Sequence, residues 1–234
     1  MSPSKPLFSD LAILSTLALK GVLQDTIPGL QIDYHATQAL LKSIAEGASA
    51  DVVILTGEGI DQLVKEGRVV PATRIELGTS GVGVAVRAGA RKPDIRTLDA
   101  FKRAVTEASS VAHSRQGWSG LYFARLLERL GLVDKLKKRI IVDKGPVAAV
   151  IASGEAELGA QLLCELAPVP GIDIVGPLPA EVQGSVAFAA AVMSTSAKRA
   201  GAQAFLDFLG TAAAQDAMRK NLLTPAPRSP RRPG

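Results

Sequence analysis

The sequence contains one cysteine, Cys164, and two histidines, His35 and His113, among 234 residues. A single cysteine excludes a disulfide within the chain, and these three side chains do not form any of the usual zinc-ligand spacings. The sequence also lacks a Gly-x-Ser-x-Gly nucleophile elbow and a phosphate-binding loop with its lysine. We therefore expect no metal and no cofactor, and no motif marks a catalytic residue.

Long hydrophobic runs are missing as well. No segment approaches the ~18–20 apolar residues that a membrane-spanning helix needs. The apolar run at residues 11–19 lacks a cationic region directly before it, so its pattern favours a strand turning into a helix over a secretion signal. We expect no membrane insertion, and a cytoplasmic location for the chain as written. A periplasmic location is expected if a signal has been removed from it.

Aromatic residues make up only 4% of the chain, against 47% hydrophobic and 21% charged residues. A composition dominated by small aliphatic residues is typical of a folded protein rather than of a disordered one. The net charge is +5, but Arg228, Arg231 and Arg232 lie in a proline- and arginine-rich C-terminal segment. Without that segment the chain is near neutral, which argues against nucleic-acid binding.

Against these absences stands one recurring unit, in which a short aliphatic strand ends in a hydroxyl residue that opens a helix. Ser15 and Thr16 follow the first strand, Thr37 and Gln38 the second, and Thr56 the third. Alternating strands and helices predict an α/β fold with a mainly parallel sheet flanked by helices. A hydroxyl at a helix start usually caps it, but the same N-terminus also attracts anions. Several such turns at one sheet edge predict a ligand site.

The second half of the chain carries its polar groups after two further strands. The first ends in His113 and leads to a loop with Ser114, Arg115 and Ser119. Arg115 can pair a carboxylate bidentately, and a solvated surface arginine is an equally good interpretation. His113 can be a base, although a histidine satisfied at the strand end is the commoner role. The second strand contains Gln161 and is followed by Cys164 and Glu165.

Six stretches, in this order, resemble the periplasmic molybdate-binding type of substrate-binding protein. Within that family the chain is most similar to a branch without secretion signals that is related to aconitate isomerases. The stretches are residues 14–17, 36–40, 49–56, 120–124, 149–159 and 204–209.

The resemblance implies a two-lobed type II periplasmic-binding-protein fold. Each lobe is expected to be a mixed, mainly parallel sheet flanked by helices, with a ligand cleft between the lobes. Lobe 1 is expected at 11–82 plus 183–226 and lobe 2 at 83–182, with disordered tails at 1–10 and 227–234.

The function implied by the resemblance is binding of a small oxyanion or (poly)carboxylate by a monomer, with an ABC-type permease as a possible partner. The loop after His113 is shorter than in the family. Gln161 and the two leucines after it stand where molybdate binders carry a tyrosine. Both departures favour a polycarboxylate over molybdate. The expected ligand-binding residues, of which Thr56 is expected to form a wall of the site, are Ser15, Thr16, Thr37, Gln38, Thr56, Ser114, Arg115, Ser119 and Gln161.

Two other functions stay open. The first is an isomerase of an unsaturated polycarboxylate such as aconitate, for which His113, Glu165 and His35 are the candidate bases. The second is a ligand-responsive regulatory module that acts through a partner protein.

Overall fold

The computed structural model describes residues 8–227. In chain order the strands are β1 (Ile13–Ser15), β2 (Asp33–Tyr34), β3 (Val52–Thr56), β4 (Ile75–Arg87), β5 (Val111–Ser114), β6 (Arg139–Val142), β7 (Leu158–Leu162), β8 (Ile172–Pro177), β9 (Ser185–Val192) and β10 (Thr224–Pro225). The α-helices are α1 (Lys20–Thr26), α2 (Thr37–Ala45), α3 (Gly57–Lys65), α4 (Leu98–Glu107), α5 (Trp118–Arg129), α6 (Val147–Ala152), α7 (Leu163–Leu166), α8 (Arg199–Leu209) and α9 (Ala212–Lys220). A 3-10 turn at Leu17–Leu19 leads directly into α1.

The described chain divides into two compact units. Unit 2 comprises Ser80–Val186. Unit 1 consists of two segments, one that ends at Thr79 and one that begins at Ala187. The chain passes from one unit to the other within β4 and within β9. The sequence-based expectation placed these boundaries after residues 82 and 182. None of the helices between residues 8 and 227 is both long and apolar enough to span a bilayer.

Unit 1 is built on the sheet order β2–β1–β3–β9. β1 lies parallel to both β2 and β3, and β9 pairs with β3 in the antiparallel sense. The four residues from Val52 to Leu55 are fully buried, as expected for a strand covered by helices on both faces. On one face, side chains of β1 and β3 pack against Leu40, Ile44 and Ile60 of α2 and α3.

Unit 2 repeats this construction around the order β4–β7–β5–β6. β5 lies parallel to β6 and to β7, whereas β4 pairs antiparallel with β7 and with β8. Val147, Ala148 and Ile151 of α6 cover one face. Gly159 in β7 permits this approach, because a Cβ there would stand 2.7 Å from Ile151 Cδ1.

Several expected elements have different limits in the structure. The apolar pattern of the sequence predicts the second strand at 30–34 and a later strand from residue 82, but β2 is only two residues long and β4 begins at Ile75. The helix expected to start at residue 121 begins at Trp118, so Ser119 lies in a helix and not in a loop. Most of the two expected tails lies outside the described residues, but Phe8 is described and its ring contacts those of Phe205 and Phe208.

Candidate functional site

In unit 1 the carboxyl ends of three parallel strands lie at one edge of the sheet. The register pairs Ser15 of β1 with Tyr34 of β2 and with Ile54 of β3. Each strand leads into a helix start, so the expected residues Ser15, Thr16 and Thr56 all lie at this edge, which we call the unit 1 edge. Carboxyl edges of parallel sheets are the usual place for ligands in α/β proteins.

Ser15 and Thr16 differ in what their hydroxyls can offer. Ser15 is completely buried, and its Oγ donates to the carbonyl oxygen of Thr16 at 2.9 Å. The hydroxyl of Thr16 makes no hydrogen bond with the described part of the chain, and its N–H donates to Ile54 O at 2.9 Å. The hydroxyl of Thr16 is therefore without a partner among the described residues, whereas that of Ser15 has one.

Thr37 and Thr56 lie together through a contact between α2 and α3. The N–H of Thr56 donates to Thr37 Oγ1 at 3.4 Å, and Thr56 Oγ1 accepts from Gly59 N at 3.2 Å. Gly59 makes room for this contact, because a Cβ there would stand 2.8 Å from Thr37 Cγ2. Thr56 thus acts as the N-cap of α3. Gln38, the next expected residue, is exposed in the first turn of α2.

The helix starts of unit 1 differ in their capping. Ala36, and not Thr37, is the N-cap residue of α2, and its methyl group cannot accept a hydrogen bond. The N-cap of the 3-10 turn, Thr16, also makes no side-chain capping bond. In contrast, Thr56 and Thr211 cap α3 and α9 of unit 1 through their hydroxyls, as Thr97 does for α4 in unit 2. Two helix starts at the unit 1 edge therefore keep backbone N–H groups without a capping side chain, which is the geometry that binds anions.

Tyr34 is a residue that the sequence reasoning missed. It is half-buried at the carboxyl end of β2, and burial raises the pKa of its phenol to about 12. The group is therefore a neutral hydrogen-bond donor at pH 7. Its position at the end of a strand, one residue before His35, was the available signal. His35 itself is exposed, and its Nε2 lies 2.8 Å from Asp33 Oδ1. It therefore has the surroundings of a surface histidine and not of a buried base.

In unit 2 the carboxyl ends of β5, β6 and β7 share an edge in the same way, which we call the unit 2 edge. Ser114 ends β5, and its Oγ points towards Gly117 and Gly120 at the start of α5. Arg115 is paired with Asp143, which follows β6. The arginine that the sequence offers for a ligand carboxylate is thus paired with a carboxylate of the chain itself. Ser119, buried in the first turn of α5, makes no hydroxyl hydrogen bond with residues 8–227.

His113 is buried at the end of β5, and its ring packs 6.1 Å from that of Phe123. Nδ1 lies 3.1 Å from the carbonyl oxygen of Ser114, and the buried Nε2 has no partner in the described structure. Burial lowers the pKa of His113, and the charges of Arg139 and Arg115 act in the same direction. The ring is therefore neutral at pH 7, and its position under α5 suits a structural role.

Aromatic stacking braces the start of α5. The rings of Trp118 and Tyr122 are stacked with centroids 5.3 Å apart, and Tyr122 donates its hydroxyl to Val182 O at 3.0 Å. Tyr122 also lies flat against Gly184, where a Cβ would stand 2.5 Å from the ring. Trp118 thus fixes the first turn of α5, next to Ser119.

Gln161 occupies the end of β7 and is 4% exposed. Its Oε1 accepts from Ala148 N in the first turn of α6 at 3.1 Å, and its Nε2 donates to Glu165 Oε2 at 2.8 Å. Gln161 therefore bridges two elements of unit 2. Both polar atoms of its amide already have a hydrogen-bond partner, which leaves less hydrogen-bonding capacity for a ligand. Glu165, which was considered only as a candidate base, is the side chain that it orients. Residues 8–227 contain no cluster of three or more histidine, cysteine or acidic side chains that could hold a metal ion.

Comparisons with known proteins identify relatives along most of the chain. The family model of bacterial extracellular solute-binding proteins matches residues 28–221. The aconitate isomerase of a Pseudomonas species is 37% identical over 235 residues, covering 94% of this chain and 89% of that protein.

Solved structures of low sequence identity share the fold. The periplasmic molybdate-binding protein of Azotobacter vinelandii has a TM-score of 0.73 and 20% identity, covering 92% of this chain and 98% of that one. The sulfate-binding protein of Mycobacterium tuberculosis has a TM-score of 0.65 and 20% identity, covering 92% and 86%. The periplasmic-binding-protein fold and the family resemblance inferred from the sequence are therefore confirmed.

Proposed function

Because the chain belongs to the family of bacterial extracellular solute-binding proteins, we propose that it binds a small polycarboxylate through the strand-to-helix turns of its units. The observation that carries this proposal is the unit 1 edge. There two helix starts lack capping side chains, and the hydroxyl of Thr16 has no partner among the described residues. Such donors stabilise carboxylate groups without any need for a lysine or arginine.

The choice of a polycarboxylate over an inorganic oxyanion rests on the relatives and on the site. The aconitate isomerase relative is 37% identical, against 20% for the molybdate-binding and sulfate-binding proteins. Tyr34 adds a neutral donor at the unit 1 edge. Donors spread over several turns of this edge suit a ligand with more than one carboxylate.

Isothermal titration calorimetry with the full chain tests this proposal. We expect cis-aconitate, trans-aconitate or citrate to bind more tightly than molybdate, tungstate, sulfate and phosphate. If none of these anions binds, the proposed function is wrong. If molybdate binds more tightly than every carboxylate, the ligand is an inorganic oxyanion and not a polycarboxylate.

The variant Thr16→Val tests the unit 1 edge, because valine keeps the shape of threonine and removes the hydroxyl. We expect the Kd for the preferred carboxylate to rise about tenfold, the loss of one hydrogen bond to a charged group. The matched control is Thr26→Val at the far end of α1, where the hydroxyl donates to Val22 O. Equal affinities of the two variants would remove Thr16 from the site.

A second candidate function is the isomerisation of aconitate. It is favoured by the similarity to the aconitate isomerase, which is 37% identical and covers 94% of this chain. Aconitate carries a methylene group next to its double bond, so moving one proton between the two outer carbons shifts the double bond and interconverts the isomers. Proton NMR of either isomer incubated with the full chain measures this reaction directly. If the ratio of the isomers does not move, the protein is a binding protein only.

A binding protein of this family would deliver its ligand to a permease, whereas an isomerase needs no membrane partner. The binding proposal therefore includes an ABC-type permease as the partner and a monomeric state of the protein. Light scattering during size-exclusion chromatography tests the monomeric state, and a dimer would contradict it.

A further inference from the structure

Glu165 is a carboxyl group of unit 2 to which residues 8–227 supply no counter-charge. It lies in the short helix α7 directly after β7, and therefore at the unit 2 edge. Its side chain is half-buried, and none of the ion pairs among residues 8–227 includes it.

The hydrogen bonds of Gln161 fix the position of this carboxyl group. Ala148 N can only donate, so the oxygen of the Gln161 amide must face it and the NH2 group must face Glu165. The resulting bond from Nε2 to Glu165 Oε2 is 2.8 Å long. Glu165 is thus oriented by an amide that is itself anchored to the first turn of α6.

The other oxygen of Glu165 is free to act on a ligand. None of the described residues donates a hydrogen bond to Oε1. Burial raises the pKa of Glu165, and the bond from Gln161 opposes this rise. The neighbouring titratable group is the Cys164 thiol, whose own pKa burial raises, so it stays protonated at pH 7. A carboxylate whose pKa is raised is a stronger base, which favours the exchange of protons with carbon.

We propose that Glu165 transfers the proton in the isomerisation of aconitate and that Gln161 is its positioning residue. This inference rests on the isomerase function proposed above. The carboxylate of Glu165 takes a proton from the methylene carbon, and the electron pair of the broken C–H bond joins the conjugated system. The double bond moves by one carbon. Glu165, now a carboxylic acid, returns the proton to the outer carbon that was formerly part of the double bond.

The reaction is balanced without an oxidant, a reductant or a second substrate. Because the carbon skeleton of aconitate is symmetrical about its central carbon, the product is again aconitate. The conformation about the bond between the central carbon and the methylene carbon, at the moment the proton is removed, decides whether the cis or the trans isomer forms.

The variants Glu165→Gln and Glu165→Asp test the assignment, with Glu128→Gln on the exposed face of α5 as the matched control. Proton NMR of the aconitate isomers gives the rate, and calorimetry gives the affinity for trans-aconitate. We expect Glu165→Gln to lose at least about a hundredfold in rate with an affinity within about threefold of the wild type. Glu165→Asp keeps a carboxyl group at a displaced position, and its rate is expected to lie between those of the wild type and of Glu165→Gln.

Gln161→Met tests the positioning role through the pH profile. Without the donor at Nε2 the pKa of Glu165 rises, so the acidic limb of kcat/KM is expected to move to higher pH. A merely structural loss would lower the rate equally at every pH, and that result would remove Gln161 from the proposal.

The outcomes separate the two proposals. A wild-type protein that isomerises aconitate, together with a Glu165→Gln variant that keeps the wild-type rate, overturns the role of Glu165 alone. A wild-type protein that binds aconitate without isomerising it overturns the isomerase function and this inference with it. If Glu165→Gln does not fold, a folded Glu165→Asp variant with the full wild-type rate also overturns the proposal.

Discussion

Replacing Gly120 by alanine is expected to lower the free energy of unfolding by about 3 kcal/mol or more. In an ordinary helix position this change would stabilise the protein by about 1 kcal/mol, because alanine loses less conformational entropy than glycine. At Gly120 the new Cβ would stand 2.0 Å from Ser114 O and 2.2 Å from Ser114 Oγ. The clash is with backbone as well as side chain, so it cannot be relieved by a rotamer change alone.

The surroundings of Ser114 explain why the clash outweighs the gain in helix propensity. Ser114 pairs with Val142 in the register of β5 and β6, and the next residue, Arg115, donates its N–H to Val142 O at 2.9 Å. Moving Ser114 away from α5 would therefore disturb the sheet. Moving α5 would disturb the stack of Trp118 on Tyr122.

Urea unfolding followed by circular dichroism measures this effect. The matched control is Gly201→Ala in α8, where the new Cβ would meet Leu11 Cδ2 at an ordinary 3.4 Å. The control is expected to leave stability unchanged or to raise it by up to about 1 kcal/mol. A Gly120→Ala variant as stable as the wild type would show that α5 does not start against Ser114. Weakened carboxylate binding by the same variant is expected, since Ser114 and Ser119 would move.

The strand-to-helix turns could be predicted from the sequence because they depend on local patterns. Aliphatic runs of four or five residues predict buried strands, and the helices after them follow from apolar spacing. The residues that cap the helices were harder to predict. Thr56 was identified correctly as the first residue of a helix start, whereas Thr37 lies one position inside α2 behind Ala36. Its hydroxyl serves a bond across to Thr56, which no local pattern reveals.

Two of the partners that occupy candidate residues could not be predicted, because they come from more distant parts of the chain. Arg115 finds Asp143 across neighbouring strands, 28 positions away in the sequence. Gln161 finds Ala148 through the packing of α6 on β7, at a separation of 13 positions. A side chain that appears free in a sequence can therefore already have a partner in the fold. The assignment of ligand contacts remains a prediction for all nine residues.

β4 shows a different limit of sequence reasoning. The sequence predicts a strand only from residue 82, whereas the strand runs from Ile75 to Arg87 and contains Gly78, Gly81 and Gly83. The structure uses glycine there for close packing. A Cβ at Gly83 would stand 2.3 Å from Leu163 Cδ2, and one at Gly78 would stand 2.3 Å from Thr224 O. Glycine in this strand therefore reflects neighbours that approach closely.

Replacing Asp51 by asparagine is expected to cost about 3 kcal/mol of unfolding free energy at pH 7. The sequence suggested only support for a turn at this position. In the structure the buried carboxylate joins three segments of unit 1. It accepts from Ala12 N at 2.9 Å and from Ser196 Oγ at 2.6 Å, and Lys198 Nζ lies 3.8 Å away. Asparagine would set its NH2 group against one of these donors and remove the charge.

The pH dependence of this cost identifies its origin. Burial raises the pKa of Asp51, but the hydrogen bonds from Ser196 and Ala12 and the charge of Lys198 outweigh burial and hold the pKa below its usual value. In the unfolded chain an aspartate titrates near ~3.9. The contribution to stability is therefore complete above about pH 4 and is lost as the pH falls through the lower pKa of the folded state.

Thermal unfolding of the wild type and of Asp51→Asn between pH 7 and pH 3 measures both effects. At pH 7 we expect the Tm of the variant to lie about 6–12 °C below that of the wild type. The gap should narrow below about pH 4, because protonation removes the charge from the wild type as well. Asp216→Asn on the exposed surface of α9, where the aspartate pairs only with Arg219 among the described residues, serves as the control. We expect its Tm to follow that of the wild type at every pH. A gap for Asp51→Asn that stayed constant from pH 7 to pH 3 would mean that shape and hydrogen bonding, and not the ionised carboxylate, hold these three segments of unit 1 together.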